Sequence, residues 1–219
     1  MKKVTLLVVM LAFIANIAMA QNKERVNAFN YNKNAQSYIT TAEQLMVQNR
    51  IDKAEKQMGF AKIELGRAKT SIDLAAAHDE TKNDAKTWHY YGVIYLKIAT
   101  YPEFNEIDPE ALTKCADAFR KLVELDETYF KNNYGEIITY IQSITTNYFN
   151  QGALAYEAGD YAKAIECYKQ AYNTMAIIGQ KDNLNYYITL LTILKFAIIL
   201  AVIAVLIVAV YFISRPIFF

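Results

Sequence analysis

The chain has 219 residues, with 23 basic and 22 acidic side chains and a net charge of +1. Between Gln21 and Tyr186 the balance is slightly acidic, nineteen basic against twenty-two acidic residues. A nucleic-acid-binding face would need clustered positive charge, so that class of partner is not expected. Two cysteines and two histidines, without the spacing of a ligand set, give no basis for a disulfide framework or a metal site. No nucleophile elbow, phosphate loop or dinucleotide-binding glycine pattern occurs, so the expectation is a protein without catalysis, cofactor or small-molecule substrate.

The N-terminal end reads as an export signal over residues 1–20. Lys2 and Lys3 precede an apolar run from Val4 to about Ile14, and Ala18-Met19-Ala20 offers small residues at −3 and −1. The expected body, 21–186, is poor in Gly and Pro and lacks strand-like alternation. In Ile51 to Leu74, the residues Ile51, Ala54, Met58, Ala61, Leu65, Ala68 and Ile72 form one stripe at helical spacing. Thr81 to Asp84 reads as a capping-box variant opening the next helix, and Asp108-Pro109-Glu110 as a cap followed by proline at the first helical position. Helices are expected at about 32–48, 51–77, 83–100, 109–125, 131–157 and 161–176. Glu103, Glu106, Asp108 and Glu110 lack the order of a calcium loop and read as a solvated turn with a helix cap.

The segment Tyr148 to Ala171 carries a more specific pattern. Gly152 is a small residue within its first helix, Gly159-Asp160-Tyr161 forms a turn, and Ala164, Tyr168 and Ala171 recur at helical spacing in its second. This resembles a tetratricopeptide repeat, with Tyr148 at position 4, Gly152 at 8 and the last three at 20, 24 and 27. Ala155 departs from the large residue usual at position 11. A second unit sets Trp88, Gly92 and Tyr95 at positions 4, 8 and 11, and Cys115, Phe119 and Leu122 at 20, 24 and 27. Its turn holds an insertion of about 11 residues between Thr100 and Glu110. A third unit sets Tyr38, Ala42, Leu45, Ala54, Met58 and Ala61 at the same six positions without a gap.

The resemblance implies an all-α fold: antiparallel helix pairs stacked as a short, irregular solenoid, with units at about 35–68, 85–129 and 145–178. It also implies a concave face lined by positions 2, 5, 9, 12 and 13 of the first helices. These are Lys86, His89, Val93, Leu96 and Lys97 in one unit, and Thr146, Phe149, Ala153, Tyr156 and Glu157 in another. A surface of this mixed apolar and charged character suits a protein or peptide partner.

Beyond 186, an entry motif at Asn183 to Tyr187 begins a fourth unit that gives way to an uncharged apolar run from Phe196 to Ile213. At 1.5 Å per residue these 18 residues reach about 27 Å, so 187–213 is expected to be a membrane helix, with a cytoplasmic tail at 214–219. The functional expectation is a scaffold of the bacterial cell envelope, exported and anchored in the inner membrane with its repeats in the periplasm. The alternative is the extracytoplasmic half of a sensor whose output domain is missing or frameshifted.

Overall fold

A computed structural model describes residues 2–179, with side chains from Asn22 onward. Every regular element among them is helical. In chain order these are α1 (Lys2–Val47), α2 (Ile51–Ala77), α3 (Ala85–Thr100), α4 (Ala111–Leu125), α5 (Glu127–Asn132), α6 (Tyr134–Glu157) and α7 (Tyr161–Met175). The chain divides into two compact units, Met1–Ile144 and a second beginning at Thr145.

In the first unit, α1 and α2 form an antiparallel pair with an alanine-rich seam. Ala28, Ala35, Ile39 and Ala42 are fully buried on α1, as are Ala54, Ala61, Leu65, Ala68 and Ile72 on α2. The small side chains bring the backbones close, and the larger Ile39, Leu65 and Ile72 add apolar area removed from water. Helix α1 starts well before the expected residue 32. The added turns are held in place by Ala28, which is buried, and by Arg25, which pairs with Asp84 ahead of α3.

The turn between α1 and α2 is built like the one between α6 and α7. At the first, Asn49 has φ +57°, its amide donates to Met46 O at 2.9 Å, and Arg50 N reaches Leu45 O at 2.9 Å. At the second, Gly159 has φ +78°, its amide donates to Tyr156 O at 3.0 Å, and Asp160 N reaches Ala155 O at 2.8 Å. Both are left-handed C-terminal caps that satisfy the last carbonyls of one helix while starting the next. Asp160 adds a side-chain cap to Lys163 N; Arg50 supplies none.

Helices α3 and α4 pair across Gly92. A Cβ built there would lie 2.6 Å from Phe119 Cε2, and the Phe119 ring is fully buried. Cys115 Sγ donates to Gly92 O at 3.1 Å on the same seam. The inserted turn is structured. It contains a 3₁₀ turn, Pro102–Phe104, whose Phe104 side chain is fully buried.

Three local readings are corrected by the structure. Asp84, not Thr81, caps α3, accepting from Lys86 N at 2.9 Å. Thr81 is buried and its hydroxyl donates to Ala75 O, closing the end of α2. Asp108 accepts from Glu110 N at 3.0 Å, but α4 begins only at Ala111, so Asp108 is not its cap and Pro109 not its first residue; Asp108 is instead buried and ion-paired with Lys114 Nζ at 2.7 Å. The turn around it is therefore not simply solvated. Lys69 reaches both Asp108 (3.6 Å) and Asp73 (2.8 Å), and the Tyr95 hydroxyl donates to Asp73 at 2.7 Å. This network ties α2, α3 and α4 together through groups that would be costly to bury unpaired. Finally, the expected helix at 131–157 is preceded by a separate short helix, α5, capped by Asp126, and the two are separated by Asn133.

The second unit packs α6 against α7 through Gly152 and Tyr168. A Cβ on Gly152 would stand 3.0–3.2 Å from the Tyr168 ring. Ala155, Ala164 and Tyr168 form the core, with Phe149 and Tyr156 half-buried against it. Among residues with described side chains, no helix is long and apolar enough to cross a membrane. The membrane helix expected at 187–213 and the tail at 214–219 lie outside the described residues.

Candidate functional site: a cleft along the third helix

A cleft of about 680 Å³ in the first unit is floored by α3. One wall is α1, through Phe29, Asn32 and Gln36; the other comes from Tyr129 on α5, from Asn133, and from Glu136 and Tyr140 on α6. Lys86, His89, Tyr90, Val93 and Lys97 rise from the floor. They lie three or four residues apart on one face of a helix, which is why one stripe of sequence can line the cleft.

At the N-terminal end of α3 the cleft is aromatic. His89 is buried, with Tyr90, Phe119, Tyr129 and Tyr140 ring centroids 5.8–6.2 Å from its own. Its Nδ1 shares a hydrogen bond of 3.0 Å with the Tyr129 hydroxyl, and its Nε2 lies 3.9 Å from Glu136. Burial pushes the imidazole pKa below the usual value, against a smaller upward pull from Glu136. The neutral ring is thus favoured. Tyr140 donates to Glu136 at 2.8 Å, which helps hold that carboxylate at the wall. Phe29, half-exposed, packs 5.4 Å from Tyr90, and Lys86 sits 5.8 Å from the same ring.

The other end is polar. Lys97 Nζ donates to Asn32 Oδ1 at 2.8 Å. Among the described residues no carboxylate pairs with it, and burial lowers its pKa to about 8. A lysine partly withdrawn from water and held only by an amide keeps most of its donor capacity for a ligand.

Of the five α3 residues read from sequence, Lys86, His89, Val93 and Lys97 line this cleft, whereas Leu96 turns into the core with 7% exposure. The other five lie on α6 in the second unit. Phe149 meets Tyr168 edge-on at 4.8 Å and Tyr156 meets Tyr161 at 5.4 Å, so both contribute to packing within their own helix pair. Ala153 is half-buried, and Thr146 and Glu157 are exposed. Sequence reasoning missed Phe29 and Asn32, which precede the first unit's expected start, Gln36 at that start, and the α5–α6 wall, where Tyr129 ends one expected unit and Asn133, Glu136 and Tyr140 lie between units. An aromatic and amide side at i, i+3 and i+7 of α1 was the available signal.

Cys115 is a free, fully buried thiol whose pKa is pushed well up by desolvation, and Cys167 is likewise free and raised. Neither has the electropositive exposure of a reactive cysteine. Among the described residues no three His, Cys, Asp or Glu side chains converge as a metal site.

The family model of the tetratricopeptide repeat matches residues 146–174. The chain carries a tetratricopeptide repeat. The matched span contains the end of α6, the Gly159 turn and α7, and therefore the Gly152–Tyr168 seam. Outside the matched span, α3 and α4 likewise set a glycine, Gly92, against an aromatic ring, Phe119, and the α1–α2 turn has the same hydrogen-bond pattern as the Gly159 turn. No curated protein and no solved structure matches the chain.

Proposed function

We propose that the protein is a non-catalytic scaffold of the bacterial cell envelope that holds a partner protein, through an extended peptide segment, in the cleft along α3. The observation that carries this reading is the cleft itself: in a chain that carries a tetratricopeptide repeat and whose described elements are all helical, it combines an aromatic wall with a lysine that no carboxylate pairs with. Such a surface offers apolar anchors and a few oriented polar groups, as peptide-binding grooves do. The envelope assignment is supported by the basic start, the apolar run and the Ala18-Met19-Ala20 site, with anchoring through the apolar run at Phe196 to Ile213.

Site-specific photocrosslinking in cells tests the reading. A photoreactive residue at Val93, on the cleft floor, is compared with one at Leu74, which is exposed on α2. The expected result is a discrete protein adduct from position 93 that is missing from position 74. Identical adduct patterns at both positions would remove the cleft from the argument.

A further inference from the structure

The two ends of the cleft differ in chemistry, and the difference sets a pattern for what lies between them. At one end stand Lys97 and the amides of Asn32 and Gln36; at the other, the rings of Phe29, Tyr90 and Tyr129. Asn32 Oδ1 accepts from Lys97, which leaves the Asn32 amide N–H groups directed away from that bond and able to donate to the same ligand atom set. One ammonium and one amide suit a single carboxylate, which accepts at two oxygens. A phosphate would call for more positive charge than is present, because Lys86 lies eleven residues along α3 from Lys97 and is placed over the Tyr90 ring. Glu136 adds a negative charge near that far end.

Spacing follows from the helix. Tyr90 and Lys97 are seven residues apart, or about 10 Å along α3. An extended peptide covers that distance in about three residues. We propose that the cleft selects an extended segment carrying an acidic side chain and, three residues away, an aromatic side chain, the carboxylate on Lys97 and Asn32 and the ring among Phe29, Tyr90 and Tyr129. The inference rests on the peptide-binding reading of the cleft and adds the identity and spacing of the two anchors. Carboxylate binding compensates a buried ammonium, and ring contact covers the half-exposed Phe29, so each anchor satisfies a group the free protein leaves incompletely satisfied.

The test is fluorescence anisotropy on the full chain with fluorescein-labelled octapeptides blocked at both ends. The reference peptide carries one glutamate and one phenylalanine three positions apart in a glycine–serine background. Replacing its glutamate by glutamine, its phenylalanine by alanine, or moving the two to adjacent positions is expected to weaken binding at least tenfold in each case. Lys97→Met should bind the glutamate and glutamine peptides alike. Asn32→Asp, which gives Lys97 an internal carboxylate, should lose the glutamate preference with the fold intact by circular dichroism.

Equal binding of the glutamine peptide, or a glutamate preference that survives in both variants, overturns the inference. So does equal binding by a peptide whose only carboxylate is its free C-terminus, which would mean that a chain end is the ligand. If no octapeptide binds while the crosslink at position 93 persists, the two-anchor pattern is wrong and the cleft remains a partner site. If the crosslink is lost as well, both readings fall.

Discussion

The Trp88 unit and the Tyr148 unit share a seam and differ in what surrounds it. In each, a glycine on the first helix admits an aromatic ring from the second, Gly92 under Phe119 and Gly152 under Tyr168. The first contact is tighter, and its ring is fully buried, whereas Tyr168 keeps 6% exposure. Three residues past the glycine the units diverge. Tyr95 sends its hydroxyl to Asp73 and joins the Lys69–Asp108–Lys114 network, while Ala155 stays within its own apolar core. Two residues further, Lys97 is drawn into the cleft and Glu157 is exposed. The repeat pattern thus conserves the crossing of two helices and leaves the positions around it to bridging and binding.

The largest effect expected is from removing the deeper ring. Phe119→Ala should cost about 3–5 kcal/mol, the range for losing a buried aromatic plus the cavity left behind. Tyr168→Ala should cost less, about 2–3 kcal/mol, because its ring is already in part solvated. Hydrogen–deuterium exchange read separately over α3–α4 and α6–α7 localises each loss. Equal loss of protection in the two seams would contradict the difference in burial.

The glycines sharpen the same contrast. Alanine gains about 1 kcal/mol over glycine in a helix interior. At Gly92 that gain is outweighed by a Cβ at 2.6 Å from a fully buried ring, so Gly92→Ala should be destabilising by a net of about 1–2 kcal/mol. At Gly152 the nearest ring atoms are 3.0–3.2 Å away and can give by a few tenths of an ångström. Gly152→Ala should then be close to neutral. Chemical denaturation midpoints decide between the outcomes, and Phe119→Leu in the Gly92→Ala background should recover part of the loss.

This seam was the most legible part of the molecule. The resemblance placed Gly92, Gly152, Phe119 and Tyr168 at positions 8 and 24 and implied a tight helix crossing at the glycines, but which side chain meets each glycine, the aromatic ring, is seen only in the structure. The α1–α2 pair was harder, because Ala42, Ala54 and Ala61 suit any helix; the turn at Asn49 marks the repeat only once its φ and hydrogen bonds are seen. Half the cleft was hidden for a different reason. Its walls come from the part of α1 around the start of the expected unit and from the α5–α6 connection, and no periodicity within one helix says which distant segment will face it. The inserted turn hid two more features. Phe104 and Asp108 lie in a run rich in charge, yet one plugs the core and the other is a buried ion-pair partner.

Lys97, drawn into the cleft, makes the first unit's side of the comparison pH-dependent. The Lys97 pKa is lowered to about 8 in the folded state from an ordinary 10.5. Between those values the unfolded chain holds more protons, so stability should rise with pH from about 8 to about 10 and carry the burial penalty below that window. Lys97→Met should remove the rise and raise stability at pH 7 by about 1–2 kcal/mol. His89 acts at the other end of the scale: its folded pKa is depressed, so its contribution is lost as pH falls through about 6.5, and His89→Gln should flatten that fall. Denaturant titrations from pH 5 to 10 measure both limbs, and a flat wild-type profile above pH 8 would contradict the buried state of Lys97.

The smallest effect tests whether the α1–α2 pair is a repeat of the same kind as α6–α7. Asn49 and Gly159 take the same left-handed position with matching hydrogen bonds to the preceding helix. Asparagine tolerates that conformation but pays a steric cost that glycine avoids, offset in part by the greater freedom glycine has when unfolded. Asn49→Gly should therefore stabilise the first pair by about 0.5 kcal/mol, and Gly159→Asn should destabilise the second by a similar amount. If the two turns are equivalent, the double exchange is close to neutral for the whole chain but reverses which pair exchanges its terminal amides faster. A destabilisation by Asn49→Gly would mean that the Asn49 side chain, and not the backbone geometry shared with Gly159, holds the first turn.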